Sequence, residues 1–164
     1  MSHHNLSETE IQDRLWTAID HEHTGMLGFA DNPAQLQPMT AFVERETSRL
    51  WFFTYRDSDL AQGIEAQSQG AFVFQAKGLQ ASAVGALRLA HDRHRIEQYW
   101  NPHVAAWFPE GKEDPRLAML CLDVASAAVW VSDTGPLKYA FEVVRANVTK
   151  TTPDLGEKRT LSFN

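Results

Sequence analysis

Hydrophobic residues recur along the chain with two different periods. Ile11, Leu15, Ala18 and Ile19 fall on one face of a helix, and Ser7 with Glu10 has the spacing of a capping box. An amphipathic helix ending near Asp20 is therefore predicted. Beyond it the period shortens. "TGMLGFAD", "LQPMTAFVE" and "SRLWFFTY" are short, rich in aromatic or branched residues and bounded by Gly, Asn and Pro, so they read as strands. "DLAQGIEAQSQ" reads as a short helix, and "GAFVFQAK" and "LQASAVGALRLAHD" flank Lys77-Gly78 as a long hairpin. "HDRHRIEQYW" and "HVAAWF" are helical pieces, the second with Asn101 at its N-cap and Pro102 at its first position. "RLAMLCLDVASAAVWVS" returns to strand. Leu137, Ala140, Phe141, Val144 and Val148 mark a last amphipathic helix before the polar stretch "TKTTPDLGEKRTLSFN".

The pattern gives about six strands with helices at the start, middle and end, a mainly β (α+β) chain. Antiparallel meanders joined by tight turns favour a closed or partly closed barrel. Pro38 inside a strand lacks an amide donor and requires an edge or a bulge, and Gly85 inside another hints at a bulge or close backbone approach. The domain organisation expected is one domain over residues 1–150 and a polar tail over 151–164.

Composition narrows the function. The chain has 164 residues and a net charge of −6, without a run of Lys or Arg, which argues against nucleic acid or an anionic membrane as partner. No stretch reads as a secretory signal or a spanning segment. Cys121 is the only cysteine, set in an apolar run, so a reducing compartment such as the cytoplasm is expected. The glycine-rich phosphate, nucleophile-elbow and zinc-protease motifs are missing. The histidine pairs His3-His4, His21/His23 and His91/His94 lack a third ligand nearby, so no metal site is expected.

Two stretches carry candidate chemistry. In "FFTYRDSDLAQ" a strand ends at Thr54 and a helix begins near Ser58; outward amides there, with the Thr54 and Ser58 hydroxyls and Arg56, could cradle an anion, although Asp57 and Asp59 oppose one. In "QYWNPHVAAWFPEGKEDP" the rings of Tyr99, Trp100, Trp107 and Phe108 crowd a looped segment broken by Pro102, Pro109 and Gly111. Such rings serve a core, a partner protomer or a flat ligand.

"LWFFTYRDSD", "WNPHVAAWFPEGKEDPRL" and "KTTPDLGE", in that order, resemble the general stress protein group of the pyridoxamine 5'-phosphate oxidase-like, flavin-binding split barrels, over about residues 10–160. The resemblance implies a six-stranded antiparallel split β-barrel of the FMN-binding type, working as a homodimer with flavin mononucleotide (FMN) in grooves between protomers; FAD is the alternative flavin. It implies that Gln37, Pro38 and Met39 lie beside the flavin, that Phe53, Thr54 and Tyr55 follow the ring edge and ribityl chain, and that Ser58 sits in the phosphate turn. It further implies that Gln80 and Trp130 approach the cofactor and that Trp107 shapes the groove or the dimer seam. Gln37 and Leu60 stand where the family commonly has arginine and lysine, and Tyr55 replaces a residue that is often small. The paired basic motif of true pyridoxamine phosphate oxidases is absent after Trp130, where "VSDTGPLKYAF" offers only Lys138. The activity expected is a flavin-dependent oxidoreductase, with a reduced nicotinamide as possible donor and no side chain identified as acid or base. The alternatives are a non-catalytic flavin-buffering protein and a flavin-free dimeric barrel for protein interaction.

Overall fold

A computed structural model describes residues 6–65, 68–132, 136–154 and 156–163. His3, His4, Asp133, Thr134, Gly135 and Leu155 lie outside the described residues, as does the side chain of Leu137.

Helix α1 (Glu8–Glu22) starts on the expected capping box: the Ser7 hydroxyl accepts from the Glu10 amide at 3.1 Å and the Glu10 carboxylate accepts from the Ser7 amide at 3.3 Å. Its Ile11, Leu15, Trp16 and Ile19 enter the main core, so α1 caps the inner face of the sheet. The strands follow as β1 (Thr24–Phe29), β2 (Gln37–Thr40), β3 (Phe42–Glu44), β4 (Arg49–Tyr55), β5 (Gln69–Ala76), β6 (Leu79–Ala90), β7 (Leu117–Val131) and β8 (Glu157–Ser162). Helices α2 (Asp59–Gln62), α3 (Arg93–Tyr99), α4 (Pro102–Trp107) and α5 (Pro136–Thr149) lie between them. All pairings are antiparallel in one curled sheet, ordered β2-β1-β5-β6-β7-β4-β3, with β8 also on β7.

Eight strands replace the expected six. "LQPMTAFVE" is broken at Ala41, whose amide donates to the His23 carbonyl at 2.8 Å instead of to a neighbouring strand. The stretch read as a polar tail contains β8, in which Leu161 alone is fully buried. The helix expected over 59–69 stops after one turn at Gly63.

β7 organises the sheet. Residues 117–123 pair with β4 along one edge, and residues 126–131 pair with β8 along the same edge. The hand-over falls at a bulge: Val84 faces Ser126 but Gly85 faces Val124, leaving Ala125 over. A Cβ on Gly85 would sit 1.8 Å from the Asp123 carbonyl oxygen, so only glycine fits there. Pro38 lies on edge strand β2, where no missing amide is felt.

Candidate functional site

The two halves of β7 present different surfaces. In its first half both faces are covered. Leu120 and Leu122 point into the main core, while Leu117, Met119 and Cys121 join Phe42, Trp51 and Phe53 in a second cluster beneath α3 and α4. Burial pushes the Cys121 thiol up to about 12, so it stays a protonated core residue. Three of the four rings of the aromatic loop complete this second cluster. Tyr99 stacks on Phe42 at 5.0 Å, Trp100 meets Phe53 at 5.7 Å and Phe108 meets Tyr55 at 5.0 Å. Trp107 does not join them and is 76% exposed.

Beyond the bulge the outer face lies open. Strand alternation and register place Pro38, Met26, Val73, Ser82, Ala128 and Thr160 in one row across six strands. The next row is Gln75, Gln80, Trp130 and Lys158. Lys158 is the sole charge in these two rows, and its ammonium lies over the Trp130 indole at 5.3 Å from the ring centroid. A half-exposed surface with a single charge suits a planar ring system, and the Gln80 carboxamide beside Trp130 offers donors and an acceptor to the edge of such a ring.

The second group of expected residues surrounds the turn after β4. Thr54 is buried, and its Oγ1 lies 2.9 Å from Ser58 Oγ. Ser58 caps α2 by accepting from the Ala61 amide at 3.2 Å, and the Thr54 hydroxyl donates to the Tyr55 carbonyl at 3.3 Å. Both hydroxyl protons are therefore used inside the turn if Ser58 donates to Thr54, which leaves charge to come from elsewhere. Two guanidiniums supply it. Arg56 projects from the turn with no described group engaging its side chain. Its amide donates to the Arg116 carbonyl at 2.8 Å. Arg116 lies over the Tyr55 ring at 4.5 Å and pairs with Asp114 at 2.9 Å. The hydrogen bond to Asp114 raises the Arg116 pKa further, and Asp57 adds a smaller pull in the same direction. Arg116 therefore remains a cation beside the turn.

The remaining expected residues divide. Phe53 is a buried ring in the second cluster, and Tyr55 is held between Phe108 and Arg116, so these positions offer a ligand backbone rather than an open ring face. Gln37 and Met39 alternate with Pro38 and face the inner side of the edge; Gln37 is exposed and Met39 packs against the core. Leu60 is 8% exposed and packs in the main core. Arg116 and Lys158 were missed in the sequence because strand pairing, not spacing, brings them to Tyr55 and Trp130.

A polar cleft of about 370 Å³ lies between Asp20, Glu44, Arg45, Arg95 and Tyr99, and contains none of the residues expected to bind the cofactor. Glu44 there accepts from Trp51 Nε1 at 2.9 Å and from Thr47 at 2.5 Å and pairs with Arg95 at 2.8 Å. Burial alone would raise the Glu44 pKa, but these hydrogen bonds and the Arg95 charge together hold it below the usual carboxylate range. This is a structural ion pair over the second cluster. Among the described residues no three His, Cys, Asp or Glu side chains gather as metal ligands.

A long central strand shared along one edge by two others, with α1 over the inner face, defines a split β-barrel. The chain belongs to the family described as pyridoxamine 5'-phosphate oxidase like, which its sequence matches over residues 10–154. Among solved structures it is similar to a candidate general stress protein 26 from Jannaschia sp. CCS1, at 29% identity and a TM-score of 0.79 over 94% of this chain and 99% of that one. It is similar also to a general stress FMN/FAD binding protein from Xanthomonas citri, at 35% identity and a TM-score of 0.71 over 77% of this chain and 92% of that one. The general stress protein 26 of Bacillus anthracis shares the fold at 19% identity and a TM-score of 0.63, over 72% of this chain and 92% of that one. No curated protein matches the sequence.

Proposed function

We propose that the chain binds a flavin mononucleotide in a site completed by a second copy of itself, and acts as a flavin-dependent oxidoreductase of the cytoplasm. The observation that carries this reading is a separation. Trp130 and Gln80 lie at one end of β7 and the Thr54–Ser58 turn lies beside the other. β7 has 15 residues, which is roughly 50 Å of strand contour before bending. Within one copy the two groups are separated by nearly the whole length of β7. A twofold partner could bring its turn, with Arg56 and Arg116, to the Trp130 end of this chain. The family match and the Xanthomonas citri flavin-binding relative support the choice of ligand.

The residues present fit such a group. Trp130 and the small side chains around it would hold the ring plane, Gln80 would hydrogen-bond its polar edge, and the guanidiniums would neutralise the phosphate. Bound flavin would supply hydride acceptance from a reduced nicotinamide. Lys158 would place a positive charge near the ring edge, where it favours electron-rich forms. A second reading, a flavin-holding protein without turnover, is favoured by one observation: among the described residues, Lys158 is the sole ionisable side chain in the two rows that carry Trp130 and Gln80.

Native mass and visible absorbance on the purified protein test the proposal. Two flavins per pair of chains are expected. A colourless protein that ignores added FMN overturns the flavin reading. Bleaching of the colour by reduced nicotinamide without oxygen separates the enzyme from the holding protein.

A further inference from the structure

A second polar centre stands on the outer face, at the border between the aromatic cluster and the open rows. Register sets Glu44, Arg49, Asp123 and Ala86 in one row across β3, β4, β7 and β6. The next row is Phe42, Trp51, Cys121 and Arg88. Asp123 holds two arginines from different strands. Its Oδ1 accepts from Arg49 Nε at 2.5 Å, and Arg88 Nε lies 3.5 Å from its Oδ2. The bond to Asp123 raises the Arg49 pKa further, so that guanidinium stays charged. Arg88 has a second restraint, because its guanidinium lies 5.6 Å from the centroid of the Trp51 ring. Both side chains are part-exposed, and among the described residues no acceptor hydrogen-bonds to the Nη nitrogens of either. Arg95 also lies over Trp51, at 5.3 Å, but its charge is paired with Glu44.

A structural ion pair accounts for one of these arginines and not for both. Two cations on one carboxylate leave one positive charge in excess, in a chain whose net charge is −6. Contact through Nε fixes each side chain and leaves its pair of Nη donors for something else, so little freedom is lost when an anion arrives. Ala86 and the bulged Ala125 beside them are small and exposed, which gives that anion room. We infer that Arg49 and Arg88 form an oxyanion site, braced by Asp123, for the phosphate group of a small molecule. A flat carboxylate satisfies one guanidinium fork, whereas a phosphate presents acceptors in more than one plane and serves two. The absence of a run of Lys or Arg around the pair disfavours a nucleic acid as the bearer of that phosphate. The site is separate from the flavin groups proposed above and does not depend on them. Arg49 lies six residues along β4 from Tyr55, roughly 20 Å of strand, and Arg88 lies eight residues along β6 from Gln80, roughly 27 Å.

Calorimetric titration with inorganic pyrophosphate at low ionic strength, with FMN present throughout, tests the assignment. Saturable binding is expected, weakening as salt is added. Arg49→Gln and Arg88→Gln should each raise the dissociation constant at least fivefold, with far-ultraviolet circular dichroism unchanged. Arginine modification of the wild type by phenylglyoxal, read by peptide mass, needs no substitution: pyrophosphate should slow the reaction at Arg49 and Arg88. The absence of saturable binding overturns the inference, as does binding that either variant leaves intact. Protection of Arg56 and Arg116 without protection of Arg49 and Arg88 overturns it too, by placing the anion at the turn. Malonate that binds as tightly as pyrophosphate overturns phosphate as the group recognised.

Discussion

The two halves of β7 share one backbone and differ in what covers them. Residues 117–122 are buried on both faces, between the α1-capped core and the aromatic cluster under α3 and α4. From Ala125 onward alternate residues open to solvent on a surface almost without charge. Burial on two sides fixes position, and burial on one side leaves a rigid platform whose other side is free for a ligand or a partner. The bulge at Gly85 and Ala125 is where one regime gives way to the other.

Truncation on each side breaks the comparison most directly. Met119→Ala removes a side chain with no exposure, and should cost about 2–5 kcal/mol by urea unfolding. Trp130→Ala removes a larger ring from the open half, yet the monomer should lose no more than about 1 kcal/mol while flavin affinity falls at least tenfold. Equal stability losses would show that the open half is packed like the other. Gly85→Ala acts at the boundary itself. The added methyl must displace the Asp123 carbonyl, and a loss of about 1–3 kcal/mol is expected from the shift of β6 against β7.

How much of this was legible beforehand depended on the range of the signal. The α1 capping box, Asn101-Pro102 at the start of α4, Pro38 at an edge and the Gly85 bulge are local rules, and each appears where the sequence places it. β8 escaped because Glu157, Lys158 and Arg159 hide a strand whose only fully buried side chain is Leu161. The site was harder still. Resemblance places Leu60 where the family commonly has lysine, and the single turn of α2 sets it in the main core; the cations that flank the turn and the open face, Arg116 and Lys158, arrive from partners 61 and 28 residues away in the sequence. Periodicity cannot report such neighbours.

The covered half also has an acid-sensitive clamp that the open half lacks. Glu44 is ionised below its usual pKa by Thr47, Trp51 and Arg95 in spite of burial, so its folded pKa is depressed relative to the unfolded chain. Its contribution is complete above the unfolded value of about 4.3 and is lost as pH falls through the folded value. Glu44→Gln should therefore cost about 1.5–3 kcal/mol near neutrality, with the gap to wild type closing in acid. A gap independent of pH would assign the effect to shape rather than charge.

The smallest stability effect belongs to Trp107, and it is the most telling for function. The ring stands on the covered side, at the end of α4, but outside the cluster that its neighbours Trp100 and Phe108 complete. At 76% exposure, Trp107→Ala should change unfolding of the monomer by no more than about 0.5 kcal/mol. Phe108, next to Trp107 in the chain, packs on Tyr55, and the exposed indole is open to a second surface. If the turn of one copy meets the open face of the other, the substitution should weaken flavin titration or dimer sizing several-fold with the fold intact. Wild-type values in both measurements would remove Trp107 from the shared site and leave the guanidiniums as the turn's sole contribution.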